Sequence, residues 1–226
     1  MYTIYGVPFS IHTRKVIVTA LHKQLKFTVE PVIPFNPPAG WDDLSPTGKI
    51  PVLSDGYMSI ADSTVICMFL DRANAERPVY PSDTGDFIKA LWLEEYCDGT
   101  LFANVLHKLL FQKFVRPKIL GEQPDPTAVA EIIDKAVPET FGYLEKNLTN
   151  DYLVGDRLSI ADIALVSNLL NFYYIGHTID RTRYPRLAAY FARRLDEPAF
   201  AEAIAAEKPV VEQVGLSREF LGKLAA

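Results

Sequence analysis

The strongest constraint on this chain is the point at which its periodicity changes. Up to Pro78, short β-branched and aromatic runs alternate with single helical stretches; beyond Val79 period-two alternation almost disappears and long helical patterns follow. A chain of 226 residues is also long for one small core. The reading is therefore α/β followed by all-α: a small α/β domain over residues 1–78, a linker over 79–86 carrying the turn residues Tyr80, Pro81, Ser82 and Asp83, and an all-helical domain over 87–226.

Within the first part, Tyr2 to Tyr5 reads as a strand stopped by Gly6 and Pro8, and Ser10 can cap a helix running to about His22. Thr28 to Ile33 is a second strand. Pro34, Pro37, Pro38 and Gly40 then impose an irregular loop. Pro51 to Leu53 and Met58 to Ile60 form a hairpin around Ser54, Asp55 and Gly56, and a helix with Val65, Ile66, Phe69 and Leu70 on its stripe starts at Asp62 or Ser63. The order is βαβ, loop, ββα. The second part predicts helices over Phe87 to Lys118, Pro126 to Leu148, Ser159 to Tyr174, Arg183 to Leu195 and Pro198 to Ala206.

Composition narrows the function. Basic and acidic residues balance up to Pro78, so the net charge of -5 belongs to the remainder, and no Lys/Arg cluster offers a nucleic-acid footprint. Cys67 and Cys97, the two cysteines, sit in apolar helical contexts and read as buried thiols, which excludes a disulfide framework and a CxxC metal or redox site; no metal site is expected. The N-terminus lacks a signal-peptide pattern, and the apolar stretch from Ile160 to Ile175 is broken by Asp162, Asn168 and Asn171, so it reads as a core helix and no membrane association is expected. A cytoplasmic location follows as an expectation.

Three local signals carry chemistry. Ser10 lies where strand one meets helix one, so a thiolate beside it would meet both a hydroxyl and the positive end of a helix; the plainer reading is an N-cap. The segment Ser45-Pro46-Thr47-Gly48-Lys49-Ile50-Pro51-Val52 delivers a proline directly into a strand, where an X-Pro bond can be cis and free the preceding backbone polar groups, or can simply turn. Asp62 and Ser63 open a helix that could bind a carboxylate and an ammonium, or could simply be capped.

Taken together, in this order and on this framework, these segments resemble the cytosolic glutathione transferase superfamily, of bacterial type and a serine or cysteine-like class. A fourth segment, Leu158-Ser159-Ile160-Ala161-Asp162, is similar to the family's signature at the start of the central helix, with Ser159 and Asp162 forming a capping box. The resemblance implies a thioredoxin-like N-terminal domain that binds glutathione as co-substrate and a helical domain that contributes a pocket for a small hydrophobic electrophile, as in detoxification. It implies that Ser10 is the catalytic residue beside the glutathione sulfur, that Ile50 before a cis Pro51 is the backbone partner of the cysteinyl part, that Asp62 and Ser63 hold the γ-glutamyl end, and that Lys49 adds a positive contact. The sequence departs from the commoner pattern at Asp62, where Glu is usual, at Ile11, where Pro is frequent, and at Ser45, where Asn is common. Tyr5 is a rival hydroxyl, but the spacing from Ser10 to Arg14, Lys15 and Val16 favours Ser10. His12 is expected to be an exposed first-turn histidine rather than a base. The alternative reading is a non-catalytic binding or scaffold protein on the same fold.

The resemblance also implies a two-fold homodimer. Asp62 to Ala73 would face a partner's Phe87 to Lys118, with Asp71, Arg72, Lys89, Glu94, Glu95 and Asp98 as exposed charges able to pair across the axis. Among Phe102, Phe111, Phe114, Phe172, Tyr173 and Tyr174, more are expected in the core than in a pocket.

Overall fold

A computed structural model describes residues 1–224; Ala225 and Ala226, at the end of the helical part, lie outside the described residues. The first part contains β1 (Tyr2–Tyr5), α1 (Ile11–His22), β2 (Phe27–Glu30), α2 (Trp41–Leu44), β3 (Val52–Ser54), β4 (Ser59–Ala61) and α3 (Ser63–Ala73). The strands form one sheet in the order β2-β1-β3-β4, parallel between β1 and β2 and antiparallel elsewhere. Register is fixed by burial: Ile4 and Leu53 are opposed and fully buried on the face that packs on the main core, whereas Tyr5 and Val52 turn to a smaller cluster around Trp41 and Val32.

The second part is helical. A long helix begins with α4 (Thr84–Glu95) and continues through a wider, π-type stretch (Tyr96–Leu106), α5 (His107–Leu110) and a second such stretch (Phe111–Leu120). It returns through α6 (Pro126–Glu131), a short π-type turn (Ile132–Ala136) and α7 (Val137–Asn147); α8 (Ile160–Tyr174), α9 (Pro185–Leu195), α10 (Pro198–Gln213) and α11 (Glu219–Leu224) complete the chain. Every residue of α8 is buried, the outcome for a helix apolar on all sides. The capping box forms as expected: Asp162 accepts from the Ser159 N–H at 2.8 Å and the Ser159 hydroxyl at 2.7 Å. Its other oxygen accepts from the Leu153 N–H at 2.9 Å and the Tyr190 hydroxyl at 2.7 Å.

Several expectations are corrected. The long helix starts at Thr84 instead of Phe87, because Asp83 caps the Gly85 and Asp86 N–H groups at 2.9 and 3.0 Å. The second strand is Phe27–Glu30, ending before the Pro31 that cannot donate to a ladder. The last expected helix runs on from Ala206 to Gln213 despite Pro209. Of the charges expected on an exposed dimer face, Asp71 pairs with Lys23 at 2.7 Å, Glu94 is fully buried, and Asp98 is nearly so. Arg72, Lys89 and Glu95 remain exposed.

Two consecutive cations of α1 lock the halves together. Buried Arg14 donates to Glu207 at 2.9 Å, to Asn171 at 2.8 Å and to the Ser167 carbonyl at 2.9 Å, reaching α8 and α10. Buried Lys15 donates to Glu94 at 2.7 Å, to Thr64 at 3.0 Å and to Asp98, joining α1 and α3 to the long helix. Burial opposes the Lys15 charge, but Asp98 and Glu94 outweigh it and raise its pKa. One apolar core accordingly runs through both parts.

Candidate functional site

Strand pairing alone assembles the site. Tyr5 stands opposite Val52, and Val52 opposite Ala61, so three strand ends lie in one row. The segment leaving β1 toward Ser10, the Ile50–Pro51 bond entering β3 and the Asp62–Ser63 pair leaving β4 therefore emerge at one end of the sheet. Gly6 permits the approach. A Cβ there would come 2.5 Å from Thr13 Oγ1 and 3.4 Å from Ile50 Cβ, and its φ of +155° is one that side chains disfavour.

At this edge Ser10 precedes α1 in extended geometry, and its hydroxyl makes no cap bond. The plain N-cap reading of that hydroxyl is thus not realised, and the oxygen is left at the positive end of a twelve-residue helix. The Ile50–Pro51 peptide is cis. The loop before it is pinned by Ser45, whose hydroxyl donates to the Lys49 carbonyl at 2.7 Å, and by the Trp41 indole N–H donating to the Gly48 carbonyl at 3.3 Å. Lys49 itself is exposed. Asp62 caps α3 through Oδ1, accepting from Thr64 and Val65 N–H at 2.9 and 3.1 Å, with φ at +84°; Ser63 is buried behind it. Tyr5, the rival hydroxyl, packs edge-on against Trp41 with ring centres 6.3 Å apart, in the smaller cluster.

His12 departs from expectation. It is largely covered, its ring 4.7 Å from that of Phe102 and its Nδ1 3.7 Å from Asp98 Oδ1. Burial lowers its pKa below the ordinary histidine value, and Asp98, Lys15, Asp62 and Lys49 all act on it. Sequence reasoning missed this because Asp98 and Phe102 come from the distant long helix. Phe9 meets Phe114 at 6.1 Å, so Phe102 and Phe114 line the helical wall facing the edge, whereas Phe172, Tyr173 and Tyr174 are core and Phe111 is exposed. A cavity of about 600 Å³ between the long helix and the α6–α7 arm includes none of the edge residues. Both cysteines are buried free thiols, and burial pushes Cys67 up to about 12, which removes it as a nucleophile.

Comparison with known proteins bears on the family and the fold. Residues 4–78 match the family model for the glutathione S-transferase N-terminal domain, and residues 110–207 that for the C-terminal domain. A glutathione S-transferase of Hyoscyamus muticus is 28% identical over 212 residues, covering 89% of this chain and 96% of that protein. Glutathione S-transferase 1 of Zea mays is 27% identical over 167 residues, covering 73% and 76%. Among solved structures, one of a glutathione S-transferase from Rhodospirillum rubrum F11 superposes with a TM-score of 0.83 at 22% identity, covering 90% of this chain and 92% of the other. That of glutathione S-transferase III in apo form gives 0.76 at 27%, covering 91% and 96%. With both halves of the fold matched in order and across nearly the whole chain, this protein belongs to the glutathione transferase superfamily.

Proposed function

We propose that the chain is a glutathione transferase in which Ser10 stabilises the glutathione thiolate for attack on a small apolar electrophile. The observation that carries this reading is the Ser10 hydroxyl, uncommitted as a cap and placed at the same sheet end as the cis Ile50–Pro51 bond and the start of α3. A free thiol has a pKa of about 8.5, and each unit by which its thiolate is favoured corresponds to about 1.4 kcal/mol. A hydroxyl donor and a helix N-terminus together supply stabilisation of that order. Ile50 would pair its backbone with the cysteinyl residue, Lys49 would face a carboxylate, and Asp62 and Ser63 would take the γ-glutamyl end. Residues 1–78 would carry glutathione, 79–86 would link, and 87–226 would supply the electrophile wall, with Phe102 and Phe114 facing Phe9 and His12.

Asp62→Asn tests the binding half. Asparagine caps helices as well as aspartate and tolerates positive φ, so the substitution removes charge with little change to α3. Calorimetric titration with glutathione is expected to show Kd raised roughly 5- to 30-fold, the value of about 1–2 kcal/mol for a charge-assisted contact, at a melting temperature within a few degrees of wild type. Unchanged affinity would remove Asp62 from the site, and absence of binding by the wild type at millimolar glutathione would reject the transferase reading.

A homodimer fits the exposed surface. Val65 of α3 and Ile88 and Trp92 of α4 are 52, 58 and 56% exposed, and Thr64 donates to Glu95 at 3.5 Å where the two helices meet. Apolar contact, more than the charges first expected, would then join the protomers, with Arg72, Lys89 and Glu95 at the rim. Light scattering at micromolar concentration is expected to give twice the 25.3 kDa chain mass for the wild type and the monomer mass for Trp92→Glu. A monomeric wild type would reject the dimer.

A further inference from the structure

His12 follows Ser10 by two positions on the first turn of α1 and turns toward the long helix. The Phe102 ring lies beneath it at 4.7 Å and 68°, fixing the imidazole plane. Nδ1 faces Asp98 Oδ1 at 3.7 Å. That oxygen is buried and has no hydrogen-bond partner among the described residues, because the other carboxylate oxygen serves Lys15. At 3.7 Å the carboxylate oxygen is beyond hydrogen-bond distance, and its negative charge favours the tautomer that carries hydrogen on Nδ1, which leaves Nε2 with a free lone pair. The charged groups around the ring are Asp98 from the long helix, Lys15 from α1, Asp62 at the start of α3 and Lys49 from the loop before β3. Lys15 is committed to Glu94, Thr64 and Asp98, and Oδ1 of Asp62 to its cap. His12 borders the Ser10 edge because it stands two residues after Ser10 on the first turn of α1, and the charges of Lys49 and Asp62, assigned above to glutathione, act on its ring.

We propose that His12 is the proton acceptor for the glutathione thiol, with Asp98 as the positioning residue that fixes its tautomer; this rests on the glutathione reading of the Ser10 edge. In the step, the S–H bond breaks with its electron pair kept on sulfur, an N–H bond forms at Nε2, and the Asp98 carboxylate stabilises the resulting imidazolium. The Ser10 hydroxyl donates to the thiolate. After the sulfur–carbon bond forms, the proton leaves Nε2 for the departing group or solvent. Burial disfavours the protonated ring, which leaves the neutral imidazole available as a base.

The test is the pH profile of kcat/KM for glutathione conjugation to a model aryl halide, with the ultraviolet absorbance of bound thiolate followed in parallel, in wild type, His12→Gln and Asp98→Asn. For the wild type the acid limb is expected well below the free thiol's pKa of about 8.5; in His12→Gln it moves up by about one unit or more, costing roughly tenfold or more at the acid end, and activity recovers toward wild type at high pH. Asp98→Asn shifts the limb part of the way, with glutathione affinity retained in both variants. An unchanged midpoint, or an equal loss at every pH, would assign His12 a purely structural place and overturn the proposal. A wild type that binds glutathione but gives these overturning results leaves the transferase reading standing; a wild type that shows no bound thiolate overturns both.

Discussion

Ser10→Ala is expected to lower kcat for conjugation by roughly 10- to 150-fold, the equivalent of about 1.5–3 kcal/mol for a hydrogen bond to a charged group. The glutathione KM should stay within about threefold, because the hydroxyl acts on charge that develops at sulfur and not on the peptide's carboxylates. Tyr5→Phe is the matching control and should retain nearly full activity, since its ring lies against Trp41 in the smaller cluster. Steady-state kinetics on the two variants separate the hydroxyls. Equal turnover in wild type and Ser10→Ala, or collapse in Tyr5→Phe, would transfer the catalytic role.

Asp162→Ala is expected to be the most damaging single change to stability. The carboxylate is fully buried and takes four hydrogen bonds, from the N–H groups of Leu153 and Ser159 and the hydroxyls of Ser159 and Tyr190. Removing it leaves several buried donors unpaired, each at about 1–3 kcal/mol. The sum, on the order of 5 kcal/mol, is comparable with the whole stability of a domain, typically about 5–15 kcal/mol. Urea unfolding should show a midpoint lowered by about a third or more of its value, or the variant should accumulate as insoluble protein. An unfolding free energy within about 1 kcal/mol of wild type would mean that the capping box is dispensable.

What could be read from the sequence followed from local chemistry. Ser159 and Asp162 sit three positions apart before an apolar run, and Asp62 precedes a helix whose first N–H groups need an acceptor, so both caps were visible without tertiary information. The sheet edge was equally accessible, because a strand, a hairpin and two helix starts in that order leave few ways to arrange the ends. The burial of Arg14 and Lys15 was not. Nothing in the local pattern tells an exposed cation on α1 from one whose acceptors lie at Glu94, Asp98 and Glu207. The misreading of Glu94, Asp98 and Asp71 as free surface charge, and of His12 as exposed, has that single origin: each meets its partner across a long sequence separation. The π-type stretches of the long helix were also hidden, since such turns occur inside longer helical runs and no residue type of their own marks them.

The paired cations of α1 limit how modular this chain can be. An α/β half and a helical half suggest parts that could be recombined, with a new helical domain bringing a new substrate range to the same glutathione edge. Yet α1 presents Arg14 and Lys15 to whatever packs on it, and a buried cation without its carboxylate costs several kcal/mol. Any replacement helical half must therefore carry acids at the positions of Glu94, Asp98 and Glu207, together with the carbonyl of Ser167 and the amide of Asn171, or the first half cannot close on it. Whatever changes along the half-buried Phe102 and Phe114 wall, the junction beneath it is a matched set that must be inherited together.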